Sequence, residues 1–339
     1  MRRPVVEKHC LRLENAREHN LKRLDVTFPL GMTLCVTGVS GSGKSTLVND
    51  TLYRGLLRLK GGGDPASRVG AHSAIRGHML IDHVEMVDQS PIGRTPRSNP
   101  ITYIKAFSAI RELFAGTYQS RIRGYRPGSF SFNVPGGRCE TCQGEGVNKI
   151  EMQFLADLYL ECEACKGMRY KQDLLEIHYN GKNINDVLSL TVDEALEFFA
   201  TNAGIERKLK VLQDIGLGYL TLGQPSNTLS GGEAQRIKLA SHLGRSGQQK
   251  TLYIFDEPTT GLHFDDIRKL LDAFDALVES GNSVIIVEHN IDVIRCSDRV
   301  IDLGPEGGRR GGFVVAEGTP EEIAEHPDSH TGRFLRKVL

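Results

Sequence analysis

Gly38-Val39-Ser40-Gly41-Ser42-Gly43-Lys44-Ser45-Thr46 is the stretch that decides the fold. It fits the pattern G-x-x-x-x-G-K-[ST], a loop whose backbone N–H groups cradle phosphates. Its glycines let the main chain fold round a β-phosphate where any Cβ would collide. In this pattern Lys44 reaches the β- and γ-phosphates and the Ser45 hydroxyl sits on Mg²⁺. An apolar run from Met32 to Val36 precedes the loop, and Leu47-Val48 opens a helix behind it. The helix N-terminus brings its own positive end to the anion site. Strand, loop and helix together predict an α/β domain that binds a nucleoside triphosphate.

Around that loop the chain runs to 339 residues, enough for one large domain or two ordinary ones. An apolar content of 39% and a charged content of 25% describe a globular chain with a sizeable core. Lys+Arg and Asp+Glu both number 42, so the zero balance hides any local patch. No apolar run is long enough to span a membrane, and the first residues lack the apolar core of a signal peptide. A cytoplasmic location is expected. Seven cysteines include two C-x-x-C pairs, which in such a chain favours metal binding over a disulfide framework.

Upstream, Leu24, Val26 and Phe28 alternate with polar residues, a strand period, and Pro29-Leu30-Gly31 turns the chain toward the phosphate loop. Gly61 to Gly77 is glycine-rich and polar and predicts a mobile loop. Met79-Leu80-Ile81 and Val84-Glu85-Met86-Val87 are expected as buried strand, with Asp88-Gln89-Ser90-Pro91 leaving the sheet.

From Ser90 to Arg138 the charge changes. Arg94, Arg97, Lys105, Arg111, Arg121, Arg123, Arg126 and Arg138 face a single acid, Glu112. Tyr103, Phe107, Phe114, Tyr118, Tyr125, Phe130 and Phe132 are interleaved with them. A basic field with aromatics suits a polyanion such as DNA. A solvated basic face over an ordinary aromatic core accounts for the composition equally well. Next come Cys139-Glu140-Thr141-Cys142 and Cys162-Glu163-Ala164-Cys165, separated by 19 residues, within the spacing of a four-cysteine zinc site. Four thiolates without histidine predict a closed, structural Zn²⁺ site, whose binding would supply folding energy to a lobe too small for its own core. A redox function for the two pairs is the rival reading. Ile150, Met152 and Phe154 alternate with polar neighbours and predict a strand between the pairs. Cys10, Cys35 and Cys296 are isolated and expected to be apolar fillers.

Leu229-Ser230-Gly231-Gly232-Glu233 predicts a helix start with Ser230 as cap and Glu233 closing a capping box. Its bare N-terminus offers a second anion site. Thr251 to Phe255 is an apolar run that ends in Asp256-Glu257, a buried parallel strand with a charged C-terminal edge. Open α/β sheets bind ligands at that edge. Asp256 is placed there to hold Mg²⁺ and Glu257 to orient or deprotonate the attacking water. Ser283 to Val287 is another buried strand that delivers Glu288-His289 to the same edge. Arg299 to Leu303 and Gly312 to Glu317 predict a hairpin, and Thr319-Pro320-Glu321-Glu322 the start of a last helix.

The phosphate loop, the LSGGE stretch at 229–233, Asp256-Glu257 and His289 stand in the order of an ATP-binding-cassette ATPase. The four cysteines within a long insertion, Asp88-Gln89-Ser90-Pro91-Ile92-Gly93-Arg94-Thr95-Pro96-Arg97-Ser98-Asn99-Pro100 and Asp256-Glu257-Pro258-Thr259-Thr260-Gly261-Leu262-His263 narrow it. Over essentially its whole length the chain resembles the C-terminal half of the UvrA family, the damage-sensing ATPases of bacterial nucleotide excision repair. The resemblance implies a P-loop fold of the cassette type with a mostly helical inserted signature domain. Residues 1–89 and 246–339 would form the ATP-binding subdomain, and 90–245 the signature domain with its zinc module at 139–165. It implies ATP hydrolysis without nuclease activity, Gln89 as a sensor of Mg²⁺ and nucleotide, and His289 as a switch. The implied partners are damaged duplex DNA and a second cassette, in a head-to-tail homodimer or from another UvrA-type unit. UvrB loading is in doubt for this chain alone, because the family carries its UvrB-binding insertion in the other half. An export or resistance ATPase is the alternative, against which the basic insertion and its cysteines argue.

Overall fold

A computed structural model of the chain describes residues 2–64, 66–93, 95–150, 152, 158–243 and 249–339. The chain divides into two compact units, Met1–Gln89 with Ser246–Leu339, and Ser90–Arg245. The first unit begins with β1 (Cys10–Ala16), β2 (Leu24–Pro29), β3 (Thr33–Gly38), β4 (Ala74–Arg76) and β5 (His83–Val87). Among its described residues the second unit carries a short antiparallel strand pair, β6 (Val147–Ile150) and β7 (Leu158–Glu161). On returning to the first unit the chain adds β8 (Thr251–Asp256), β9 (Ser283–Val287), β10 (Arg299–Gly304) and β11 (Phe313–Gly318).

Two sheets form the first unit. One is antiparallel, ordered β2-β1-β4. The other is ordered β11-β10-β3-β9-β8-β5, parallel except for β11 at its edge. Every residue of β3 and β9 is buried, which explains their unbroken apolar runs: a parallel strand covered on both faces has no polar side to show. The helix Phe264–Glu279 covers one face through Ile267, Leu270, Phe274, Leu277 and Val278, the expected helical spacing. The Phe274 ring sits 4.6 Å from that of Phe255 on β8, a pair worth about 0.5–1.5 kcal/mol beyond the area it buries. Thr319 caps the helix Pro320–Glu325, and Glu322 returns a bond to the Thr319 N–H, as the local sequence predicts.

Two expectations fail here. The polar stretch Gly61–Gly77 does not stay loop to its end, because Ala74–Arg76 pairs with β1. Met79 and Leu80 are not buried strand. Gly77 turns left-handed at φ 76°, His78–Leu80 wind into a short 3₁₀ turn, and Met79 is 79% exposed. Only Ile81 of that trio is buried, so three adjacent apolar residues misread a surface turn as core.

The second unit is built largely of short helices around an aromatic core. Phe107, Phe114, Phe130 and Phe132 are essentially buried, and the Tyr170 hydroxyl donates to the Phe130 carbonyl at 2.9 Å. Most of the interleaved aromatics therefore build core, and truncating one such as Phe130 would cost about 3–5 kcal/mol. Tyr118 is the exception, 79% exposed, with Ile122 one turn on also exposed. The basic run is partly neutralised by acids from beyond it. Arg97 pairs with Glu145 at 3.3 Å, and Arg123 with Glu176 at 2.7 Å. Arg138 lies 3.9 Å from Glu140, while Lys105, Arg121 and Arg126 are exposed. Arg94 lies outside the described residues, as does most of the strand expected through Ile150, Met152 and Phe154 beyond Ile150.

Candidate nucleotide and metal sites

Because β3, β5, β8 and β9 run parallel, their C-terminal ends meet at one edge of the sheet. The phosphate loop leaves β3, Gln89 follows β5, Asp256 ends β8, and His289 stands two residues beyond β9. Lys44, almost fully buried, donates from Nζ to the carbonyls of Gly38 (2.9 Å) and Val39 (3.0 Å) of its own loop. Burial lowers the Lys44 pKa, and the charges of Glu257, Asp302 and Asp256 oppose that shift. The loop then passes into a helix wound as π over Thr46–Tyr53 and as α over Arg54–Leu59.

Glu257 follows β8 directly at this edge. It is left-handed at φ 45°, a conformation that costs a non-glycine residue about 1–3 kcal/mol and collects at functional sites. Its N–H donates to the Val287 carbonyl (2.9 Å), and its own carbonyl accepts from Gln89 Nε2 (3.2 Å) and the Thr260 hydroxyl (3.1 Å). These bonds hold the strained backbone, and the carboxylate faces His289 Nε2 at 3.2 Å. Burial raises the Asp256 pKa, with Glu257 and Asp88 adding to the rise and Lys44 opposing it.

Two residues here had no assigned part in the sequence reading. Glu288 is buried and accepts from the Thr259 N–H (3.0 Å) and hydroxyl through one oxygen. Its other oxygen accepts from the N–H of His289 and of Asn290 (2.9 Å). It thereby fixes the segment after β8 against the one after β9. The signal was present as a carboxylate ending an otherwise apolar strand. Asn20 is the other: its amide donates to the Gly41 carbonyl at 3.0 Å, and no period or motif marks it.

The arrangement fits a nucleotide and Mg²⁺ on its own chemistry. The Ser42 hydroxyl is buried without a hydrogen-bond partner inside the loop. The Ser45 hydroxyl is exposed and makes no capping bond, leaving it available to a cation. A half-buried carboxylate whose pKa is raised by burial and then by acidic neighbours is relieved by a divalent cation.

Ser230, Gly231, Gly232 and Glu233 belong to the second unit and open the helix Gly231–Leu243. The expected box is made: the Glu233 N–H donates to Ser230 Oγ (3.2 Å) and the Ser230 N–H to Glu233 Oε2 (2.7 Å). The Tyr219 hydroxyl donates to the other Glu233 oxygen at 2.8 Å, a support that sequence reasoning passed over.

In the same unit Cys139, Cys142, Cys162 and Cys165 are all buried, and their sulfurs lie within 4.8 Å of one another. None is in a disulfide, and Cys142 and Cys165 are 3.6 Å apart at sulfur. Tetrahedral thiolates about 2.3 Å from Zn²⁺ stand about 3.8 Å apart, so the set matches such a site. Burial pushes the Cys139 thiol up, but hydrogen bonds from the N–H groups of Cys142 and Thr141, with those of the Cys142 and Cys165 side chains, together bring it down to about 7. Gly144 turns left-handed behind the first pair at φ 84°, where a Cβ would lie 2.0 Å from the Phe132 carbonyl oxygen.

No family model matches the chain. A UvrABC system protein A from Methanothermobacter thermautotrophicus is 61% identical over 97% of the chain and 34% of its own length. That of Aquifex aeolicus is 59% identical over 97% of the chain and 35% of its own length. The chain belongs to the UvrA family. A crystal structure of UvrA2 from Deinococcus radiodurans agrees with this UvrA-type fold at a TM-score of 0.92 and 50% identity, covering 100% of this chain and 40% of that one. The chain spans about a third of the length of the curated UvrA relatives it matches. No helix among the described residues is long and apolar enough to cross a membrane.

Proposed function

We propose that this chain is an ATP-hydrolysing, DNA-binding cassette of the UvrA type, acting in damage recognition for nucleotide excision repair and not itself a nuclease. The observation that carries the reading is the meeting of Lys44, Asp256, Glu257 and His289 at one sheet edge behind a phosphate loop. Residues 38–46 would bind the phosphates through backbone N–H groups, with Lys44 moving from its own loop's carbonyls to phosphate oxygens. Ser45 and Asp256 would hold Mg²⁺, which when bound neutralises charge on the phosphates. Glu257 would take a proton from water as its oxygen bonds to the γ-phosphorus and the bond to the ADP oxygen breaks. His289, 3.2 Å from Glu257, would reach the same γ-phosphate, and Gln89 would report on it through the Glu257 backbone. Ser230–Glu233 would close the site of a second cassette. Cys139, Cys142, Cys162 and Cys165 would hold a structural Zn²⁺.

Lys105, Arg121 and Arg126, each exposed, as Tyr118 of the same basic aromatic segment also is, support DNA as the polyanion. The exposed pair of Arg123 with Glu176 is worth little and could exchange for a phosphate. Binding to damaged and undamaged duplexes, with and without ATP and across a salt series, tests this. Eight phosphate contacts in a dimer would give a log–log salt slope of about −7. Arg121→Glu with Arg126→Glu should flatten that slope and leave ATP affinity intact. An affinity independent of salt would contradict the proposal.

A further inference from the structure

The loop from β10 to β11, Gly304-Pro305-Glu306-Gly307-Gly308-Arg309-Arg310-Gly311-Gly312, lies with its backbone against the phosphate loop. The Gly308 N–H donates to the Gly41 carbonyl at 3.0 Å, and the Gly312 N–H to the Ser42 carbonyl at 3.0 Å. Asn20 Nδ2 bridges the two loops, donating to the carbonyls of Gly41 (3.0 Å) and Gly308 (3.2 Å). The Lys22 N–H ties the Gly312 carbonyl at 2.9 Å. A phosphate loop can aim successive N–H groups inward only while its carbonyls point away, and those carbonyls then need donors of their own. Here two separate segments supply them.

The contact is too close for side chains. A Cβ on Gly312 would fall 1.9 Å from the Asn20 carbonyl oxygen, and one on Gly307 would fall 2.5 Å from that of Ser40. Gly307 has φ −87°, which any residue adopts, so only the approach to the phosphate loop requires glycine there.

We infer that Asn20 and the Gly304–Gly312 loop are positioning elements of the nucleotide site. They hold the Gly41 and Ser42 carbonyls outward and so keep the N–H cradle formed for the β-phosphate before any ligand arrives. This rests on reading the Lys44 loop as a nucleotide site. The test is calorimetric titration of the full chain with ATP, ADP and pyrophosphate, for the wild type, Asn20→Ala and Gly307→Ala. Asn20→Ala removes two bonds at a half-exposed position, and Gly307→Ala pushes on Ser40 without straining its own backbone. Each variant should bind all three ligands about five- to tenfold more weakly, by an equal factor, with an unchanged ligand-free melting temperature. Wild-type affinity for ADP and pyrophosphate in both variants would overturn the inference, as would a loss confined to ATP or a drop in ligand-free melting alone. A wild type that binds none of the three would instead refute the nucleotide site itself.

Discussion

Asp256 and Glu257 are chain neighbours with different burdens. Asp256 is half-buried among acids, and burial, then Glu257 and Asp88, raise its pKa. An acid whose folded pKa is raised stabilises the fold fully below its unfolded pKa, and that contribution is lost as pH rises through the folded value. At neutral pH its charge is thus a cost carried until a cation arrives. Asp256→Asn should raise the ligand-free melting temperature by a few degrees at neutral pH while removing Mg²⁺-dependent hydrolysis. The stabilisation should shrink as pH falls toward the ordinary carboxylate range, read by thermal unfolding across pH. Glu257→Gln keeps the shape and loses the base: ATP should still bind, with turnover reduced about 10²- to 10⁴-fold. At this scale the positions of the motif residues were legible in the sequence because each stands at or just beyond a strand end, or at a helix start. Asn20, Glu288 and Tyr219 were not assigned, because their parts are side-chain hydrogen bonds to other segments of the chain, to backbone for Asn20 and Glu288 and to the Glu233 carboxylate for Tyr219, which leave no spacing to read.

Elements were legible where one period ruled them. β3, β8 and β9 are continuous apolar runs and the helix Phe264–Glu279 keeps helical spacing, so burial follows pattern. The basic aromatic segment carried two patterns at once, and composition could not separate a core from a surface. Its phenylalanines face inward while Lys105, Arg121 and Arg126 face water, a division set by tertiary packing. The cysteine lobe makes the element-scale prediction. Among its described residues the paired strands β6 and β7 expose Ile150, Leu158, Tyr159 and Leu160, and an isolated two-stranded pair is marginal without other support. One Zn²⁺ per chain should copurify, on the order of 10 kcal/mol of binding. Cys162→Ser should release it and expose the lobe to limited proteolysis while ATP affinity survives. Loss of both cysteine pairs to mild oxidation with no metal released would mean redox chemistry instead.

At the scale of the whole molecule, the phosphate loop and the Ser230–Glu233 helix start lie in different compact units, one of each per chain. Under the proposed function the two anion sites of different chains would close on one γ-phosphate, and head-to-tail pairing is then expected, strengthened by ATP because nucleotide binds the paired state better. A single chain should bind ATP and hydrolyse it poorly. The most direct measurement is ATPase activity on mixing two inactive variants, Lys44→Ala and Gly231→Asp. In a homodimer about half the pairs are hybrids with one intact composite site, which returns roughly a quarter of the wild-type sites by two-fold symmetry. Recovery on mixing is the predicted result. No recovery, with wild-type activity strictly proportional to protein concentration down to the low nanomolar range, would contradict it.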